Sequence, residues 1–196
     1  MKDINTILRL DVSPRKTDSI SRRLTQKAID SMSAKGPVKI INRDLSEGLN
    51  FVNEGWIGAN FTPAEARDEA QHQALIESDT LVSELEQADT LLIGTPIYNF
   101  SIPASLKSWI DMVARVGKTF AYTETGPQGL LKNKRAIVLV ASGGTQLGSE
   151  IDFATPYLRH ALGFIGISDV TFIAADALAQ QAEAKIQLAF EAIESL

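Results

Sequence analysis

Apolar residues follow two periods along this chain. Short, nearly continuous apolar runs fall at 6–11, 38–42, 90–94, 136–141 and 169–174, each closed by Ser, Gly, Pro, Asn or Asp. Runs of that length bounded by turn residues fit strands covered on both faces. Between them apolar residues recur every three or four positions. After Ser19, a candidate cap, Leu24, Ala28 and Met32 mark about four helical turns, which Gly36-Pro37 ends. Thr62-Pro63-Ala64-Glu65 joins a cap, a proline at the first helical position and an acid three residues on, predicting a helix to about 88 with a break near Ser78-Asp79. Further helices are expected after Pro103 (Leu106, Ile110, Met112, Val113), over 151–162 and over 178–196. The stretches 44–62 and 117–134 sustain neither period and read as long loops rich in Gly and aromatics.

Five strands alternating with five helices predict an α/β fold with a mostly parallel sheet and helices on both faces. The common order for a doubly wound five-stranded sheet is 2-1-3-4-5, with its switch point between strands 1 and 3. Three loops would then meet at one edge: 13–21, 96–100 and 141–144. With 196 residues, a single domain spanning 1–196 is expected.

Composition narrows the class. A 44% apolar and 22% charged content is that of a globular chain. Cysteine is absent, which removes thiolate metal sites and a Cys nucleophile. A net charge of -5 argues against nucleic acid as a partner, since phosphate backbones are bound by clustered Lys and Arg. No apolar stretch is long enough to span a membrane, and the first residues carry no secretory pattern, so a cytoplasmic location is expected.

The three loops carry the candidate chemistry. Ser13, Thr17, Ser19 and Ser21 bring hydroxyls to the start of a helix, where free N–H groups favour an anion, with Arg15 or Lys16 adding charge. Neither GxxxxGK[ST] nor GxGxxG is present, which disfavours a nucleotide triphosphate or dinucleotide site. Pro96 should hold an extended loop whose backbone, with Asn99, faces the edge of a flat heterocycle while Ile97, Tyr98 and Phe100 flank it. Gly143-Gly144 allows close backbone approach. Either a serine-rich cap or a core aromatic is commonplace alone. Falling together after strands 1, 3 and 4, these loops are where one flavin mononucleotide (FMN) would lie in this topology. His72 and His160 sit in expected helices, and Ser142 lacks a GxSxG context, so a hydrolase triad has little support.

The stretch TPIYNFSIPASLKSWIDMVARVGKTFAYTETGPQGLLKNKRAIVLVASGG, with SPRKTDSIS before it and TPYLRHALGFIGISDV after it, closely resembles the FMN-dependent NADH:azo compound/quinone oxidoreductases, the azoreductase family of flavodoxin-like fold. The resemblance covers nearly the whole chain. It implies flavin contacts at Ser13, Ser19, Ile20 and Ser21 (phosphate), at Pro96, Ile97, Tyr98, Asn99 and Phe100 (ring edge), and at Ala141, Ser142, Gly143 and Gly144 (ring side). It also implies substrate-side roles for Phe120 and Phe164, at the interface of a homodimer with shared active sites. Ile97 replaces a common Met, and Ser142 a frequent Arg. The implied reaction is ping-pong: NADH or NADPH gives a hydride to flavin N5, then a quinone or azo acceptor takes the electrons, with no side chain acting as acid or base. Phe51, Trp56, Phe61 and Phe120 are expected along the open edge of the site. Two other readings stand beside this one: a flavodoxin-type electron carrier without its own substrate, and a metal-assisted phosphodiester hydrolase.

Overall fold

The structure is a computed structural model and describes residues 4–196. In chain order it comprises β1 (Asn5–Asp11), α1 (Ile20–Lys35), β2 (Val38–Asp44), α2 (Glu54–Phe61), a single 3₁₀ turn (Ala64–Ala66), α3 (Glu69–Gln87) and β3 (Thr90–Pro96). There follow α4 (Ala104–Val113), β4 (Phe120–Thr123), β5 (Gly126–Gly129), β6 (Arg135–Ala141), α5 (Thr155–Phe164), β7 (Asp169–Ala175) and α6 (Ala182–Glu194). The five longer strands form one parallel sheet in the order β2-β1-β3-β6-β7. This is the expected 2-1-3-4-5 arrangement. No described helix is long and apolar enough to cross a membrane.

Strand alternation splits the core in two. Leu8, Leu10, Leu91, Ile93, Val138 and Val140 face α3, α4 and α5, while Ile7, Leu92, Ile137 and Leu139 face α1 and α6. All are at most 1% exposed, and burying each apolar side chain contributes on the order of 1.5–3 kcal/mol. This two-sided burial is why β3 and β6 read as continuous apolar runs. Gly94 sits where β3 meets α1, and a Cβ there would lie 2.4 Å from Thr25 Cγ2 and 3.0 Å from the Ser21 carbonyl oxygen. The missing side chain lets α1 and its capping loop approach the sheet.

The expected loops are more ordered than the sequence suggests. Within 44–62, Asn53 caps α2 by accepting from Trp56 N–H (3.0 Å), and Trp56 and Ala59 pack on Leu75 of α3. Fully buried Arg115 ties these elements together: Nε donates to Asn60 Oδ1 (3.0 Å), and Nη1 donates to Ser78 Oγ (2.7 Å) and Asp79 Oδ1 (2.8 Å). The TPAE signal yields only the 3₁₀ turn. The chain breaks at 67–68, and α3 starts from an Asp68–Gln71 capping box that satisfies donors in both directions; it runs unbroken through Ser78-Asp79. Within 117–134, β4 and β5 form an antiparallel hairpin. It docks where Gly129 and Gly166 touch backbone to backbone, leaving no room for a Cβ at either position.

One ion pair holds the loop after β1. Arg22 of α1 donates from Nε and Nη2 to the Ser13 carbonyl (3.3 and 2.7 Å) and from Nη1 and Nη2 to Asp44 (3.0 and 2.8 Å) at the end of β2. Burial alone would raise the Asp44 carboxyl, but hydrogen bonds from Arg22 and Ser46 outweigh it and hold the group well below its ordinary range.

Replacing Gly94 by Ala should cost about 1–3 kcal/mol through overpacking, read as a lower urea midpoint, and adding Thr25→Ser should recover part of that loss. Asp44 has a depressed folded-state pKa, so its contribution is present above its unfolded value of 3.8 and fades as pH falls toward the folded value. Wild type should therefore exceed Asp44→Asn in urea midpoint at pH 7, and the gap should shrink steadily below pH 4.

Candidate functional site

The loop from β1 to α1 ends in a helix cap. Ser19 is extended, its hydroxyl accepts from Arg22 N–H (3.4 Å), and the first-turn N–H groups of Ile20 and Ser21 have no intrahelical acceptor. The hydroxyls of Ser13, Ser19 and Ser21 belong to residues only 3%, 6% and 1% exposed, and Ser19 Oγ lies 3.3 Å from Ser21 Oγ. Buried hydroxyls, free N–H groups and the positive end of α1 converge as they would on an anion. Of the two cations within this loop, Arg15 lines the cavity, whereas Lys16 is drawn to Glu47 (2.8 Å). Asp18, at φ +56°, completes the rim.

That loop forms one end of a cavity of about 360 Å³ whose other walls are Pro96, Ile97 and Tyr98, Ala141, Ser142 and Gly143, and Leu178 and Ala179. A wider cleft of about 660 Å³ adjoins it, sharing Ile97, Tyr98, Ser142 and Gly143 and adding Asn99, Phe100, Gly144, Thr145 and Ile151. The thirteen residues to which the resemblance assigns flavin contacts thus line one of two adjoining spaces, whereas Thr17 lines neither. Leu178 and Ala179 escape a sequence reading that begins a helix at 178. The α6 helix starts only at Ala182, and the preceding turn donates from Leu178 N–H to the Ser142 carbonyl (3.0 Å) and from Ala179 N–H to that of Gly143 (2.9 Å). These bonds clamp the loop after β6.

The loop after β3 is not extended as expected. Ile97 N–H continues the sheet onto the Ala141 carbonyl (3.0 Å), and then Tyr98 and Ser101 exchange two backbone hydrogen bonds of 3.0 Å around Asn99 and Phe100. Both central residues have positive φ, +47° and +71°. Pro96 restrains only its predecessor, so the chain is free to turn two residues later. Left-handed backbone is uncommon for Asn and a real outlier for Phe. Strain of that kind gathers where a site requires it. The turn lifts Asn99 and Phe100 out of the sheet and into the cleft.

Other expectations fare differently. Phe120 and Phe164 meet at 4.5 Å between ring centroids, with Tyr122 edge-on to Phe120, but neither lines the two spaces formed by the three loops in this chain. Trp56 and Phe120 are buried rather than set along an open edge, because α2 and the hairpin fold onto their own subunit; Phe51 and Phe61 remain exposed. His72 and His160 are solvent-facing on α3 and α5. Ser142 Oγ accepts from Thr145 N–H (2.9 Å), which makes the hydroxyl a turn cap rather than a nucleophile. The arrangement can hold a phosphate at one end and a flat ring at the other. Its walls carry no acid–base pair suited to hydrolysis.

A sequence profile described as the flavodoxin-like fold matches residues 5–196. The chain is 56% identical to an FMN-dependent NADH:quinone oxidoreductase 1 of Jannaschia sp. (strain CCS1) over 97% of both chains. It is 55% identical to an FMN-dependent NADH:quinone oxidoreductase of Thiobacillus denitrificans (strain ATCC 25259 / T1), over 87% of this chain and 83% of that one. Among solved structures, an azoreductase from Bacillus anthracis str. Sterne superposes with a TM-score of 0.89 at 26% identity, covering 98% of each chain. By sequence, sheet order and the loops gathered at its edge, this chain belongs to the FMN-dependent NADH:quinone oxidoreductase (azoreductase) family of flavodoxin-like fold.

Proposed function

We propose that this chain binds FMN across the three loops and uses NADH to reduce quinones, and azo compounds by the same route. The carrying observation is the union of the loops into one depression, with buried hydroxyls and a helix N-terminus at one end and a strained aromatic turn at the other. The names of its relatives support the reading. Balanced for a quinone, the reaction is NADH + H⁺ + quinone → NAD⁺ + hydroquinone. Bound FMN would supply the two-electron chemistry, with hydride taken at N5 from NADH and electrons passed to the acceptor, the two substrates using one cleft in turn.

The protein's part is to bind and orient. Ser13, Ser19, Ile20 and Ser21 hold the phosphate through hydroxyls and first-turn N–H groups, with Arg15 adding a cation. Pro96 to Tyr98 and Ala141 to Gly143 cover the ring, and Asn99 and Gly144 present polar groups at its edge. Ile97 in place of Met conserves volume. The fit is supported by donor chemistry: the anion end is rich in donors, and among the described residues Asp18 alone brings a carboxylate to its wall. Tyr98, Phe100 and Ile151 give the ring side an apolar wall. The wide cleft beside the ring favours an enzyme with its own small substrate over an electron carrier. Two copies are proposed to pair, so that Phe120 and Phe164 of one reach the cleft of the other.

Three outcomes follow. After incubation with FMN and desalting, the protein should keep a yellow flavin spectrum near one FMN per chain; a colourless product would reject the reading. Asn99→Leu should weaken FMN binding by about 10- to 100-fold, the loss of a hydrogen-bonding group at the ring edge, with the urea midpoint lowered only modestly because Leu tolerates the positive φ here less well than Asn; full retention would make the turn scaffold. In sedimentation velocity the active species should be a dimer, and full activity in a monomer would overturn the shared cleft.

A further inference from the structure

The segment 146–154 between β6 and α5 is partly exposed, has no regular structure, and is nevertheless pinned along its length. Asp152, only 4% exposed, accepts from Gly148 N–H (2.9 Å), Ala154 N–H (3.1 Å) and Thr155 N–H (3.0 Å), and from the Thr155 hydroxyl. Burial alone would raise this carboxyl, but the hydrogen bonds from Thr155, Gly148 and Ala154 outweigh it and keep it below its usual range, so it stays charged and accepting. Leu147 N–H donates to Asp176 Oδ2 (2.7 Å) after β7, and Ser149 N–H and Asp152 N–H close turns onto Gln146 (3.2 Å) and Ser149 (3.0 Å). Phe153 N–H reaches across to the Phe100 carbonyl (3.1 Å), so the segment is joined to the strained turn on the opposite wall.

This pinning holds apolar side chains toward solvent. Ile151, 45% exposed, lines the cleft with Tyr98 at 40% and Phe100 at 53%, and Phe153, two residues on, is 61% exposed. Such exposure is costly unless an apolar partner is received there. Among the described residues, the cleft walls supplied by this chain carry no charge, since the residues lining it are Ile97, Tyr98, Asn99, Phe100, Ser142, Gly143, Gly144, Thr145 and Ile151. Arg15 lies at the other end of the site, and Glu150, exposed beside Ile151, adds only negative charge. A negatively charged substituent entering the cleft would lose hydration without finding a cation.

Resting on the quinone-reductase reading above, we infer that segment 146–154 is the acceptor-selecting wall of the cleft, which admits flat uncharged acceptors in preference to sulfonated ones, and that Asp152 is its positioning residue. Asp152 touches neither cofactor nor acceptor; it acts by fixing where Ile151 and Phe153 stand.

The test uses FMN-loaded protein, NADH, and two acceptors, 1,4-naphthoquinone and its 2-sulfonate, in 0.15 M salt, where the field of the net charge is screened beyond about 8 Å. The readout is the ratio of kcat/KM for the two acceptors, compared among variants so that their different potentials cancel. Ile151→Arg should move the ratio toward the sulfonate by about tenfold or more, a typical size for a single discriminating contact, whereas Ile151→Gln should leave it near wild type. Asp152→Asn should raise KM for 1,4-naphthoquinone several-fold with FMN content unchanged, and Thr155→Ala should reproduce the effect in weaker form. An unchanged ratio in Ile151→Arg, or an Asp152→Asn variant with wild-type KM, overturns the inference while the enzyme remains active. Wild type that holds no FMN, or never oxidises NADH with either quinone, instead refutes the underlying function.

Discussion

The winding of the chain reverses between β1 and β3, and the site follows from that reversal. With β2 on one side of β1 and β6 and β7 beyond β3, the loops leaving β1, β3 and β6 emerge side by side at one sheet edge. Helices α1 and α6 cover one face and α3 to α5 the other, so the ends of the central strands open between the layers. Each of the three loops is held by its own device: Arg22 on the Ser13 carbonyl, the paired bonds of Tyr98 and Ser101, and the Leu178–Ala179 clamp. A rigid sheet with independently fixed loops suits a protein whose task is to bind and orient a group that brings its own reactivity.

Much of this architecture is legible in the sequence because strands buried on both faces must be apolar throughout, and β3 and β6 leave no other reading. The Ser19 cap and the Gly36-Pro37 stop are equally local signals, and the structure agrees with both. Signals fail where tertiary contacts override them. Gly55 and Gly58 argue against a helix at 54–61, yet Asn53, Trp56 and buried Arg115 hold one there. Pro63 outweighs Asp68 as a start signal on paper, but only Asp68 has Gln71 in place to complete a capping box. The β4–β5 hairpin is too short and too rich in glycine and proline to show alternation, and it depends on the Gly129–Gly166 contact 37 residues apart in sequence.

The site divides the same way. Residue types near Ser13 to Ser21 and 141–144 are commonplace singly, and they become legible through their shared position after strands 1 and 4 of the parallel sheet. The left-handed turn at Asn99-Phe100 does not become legible in this way, because nothing in Pro96 or Asn99 alone demands it; it arises from the cross-turn bonds and from Phe153 N–H on the Phe100 carbonyl. Segment 146–154 is invisible for a similar reason. One aspartate among polar residues looks like solvent-facing chain until the structure shows it buried and accepting from three backbone groups.

The central claim is that the edge loops hold FMN and that quinone reduction passes through it. The most direct measurement strips flavin from the protein and follows NADH oxidation at 340 nm with 1,4-benzoquinone while FMN is added back. The stripped protein should show no turnover, and activity should return and saturate at one FMN per chain. Turnover that is indifferent to FMN, or that never appears at any FMN level, would contradict the claim.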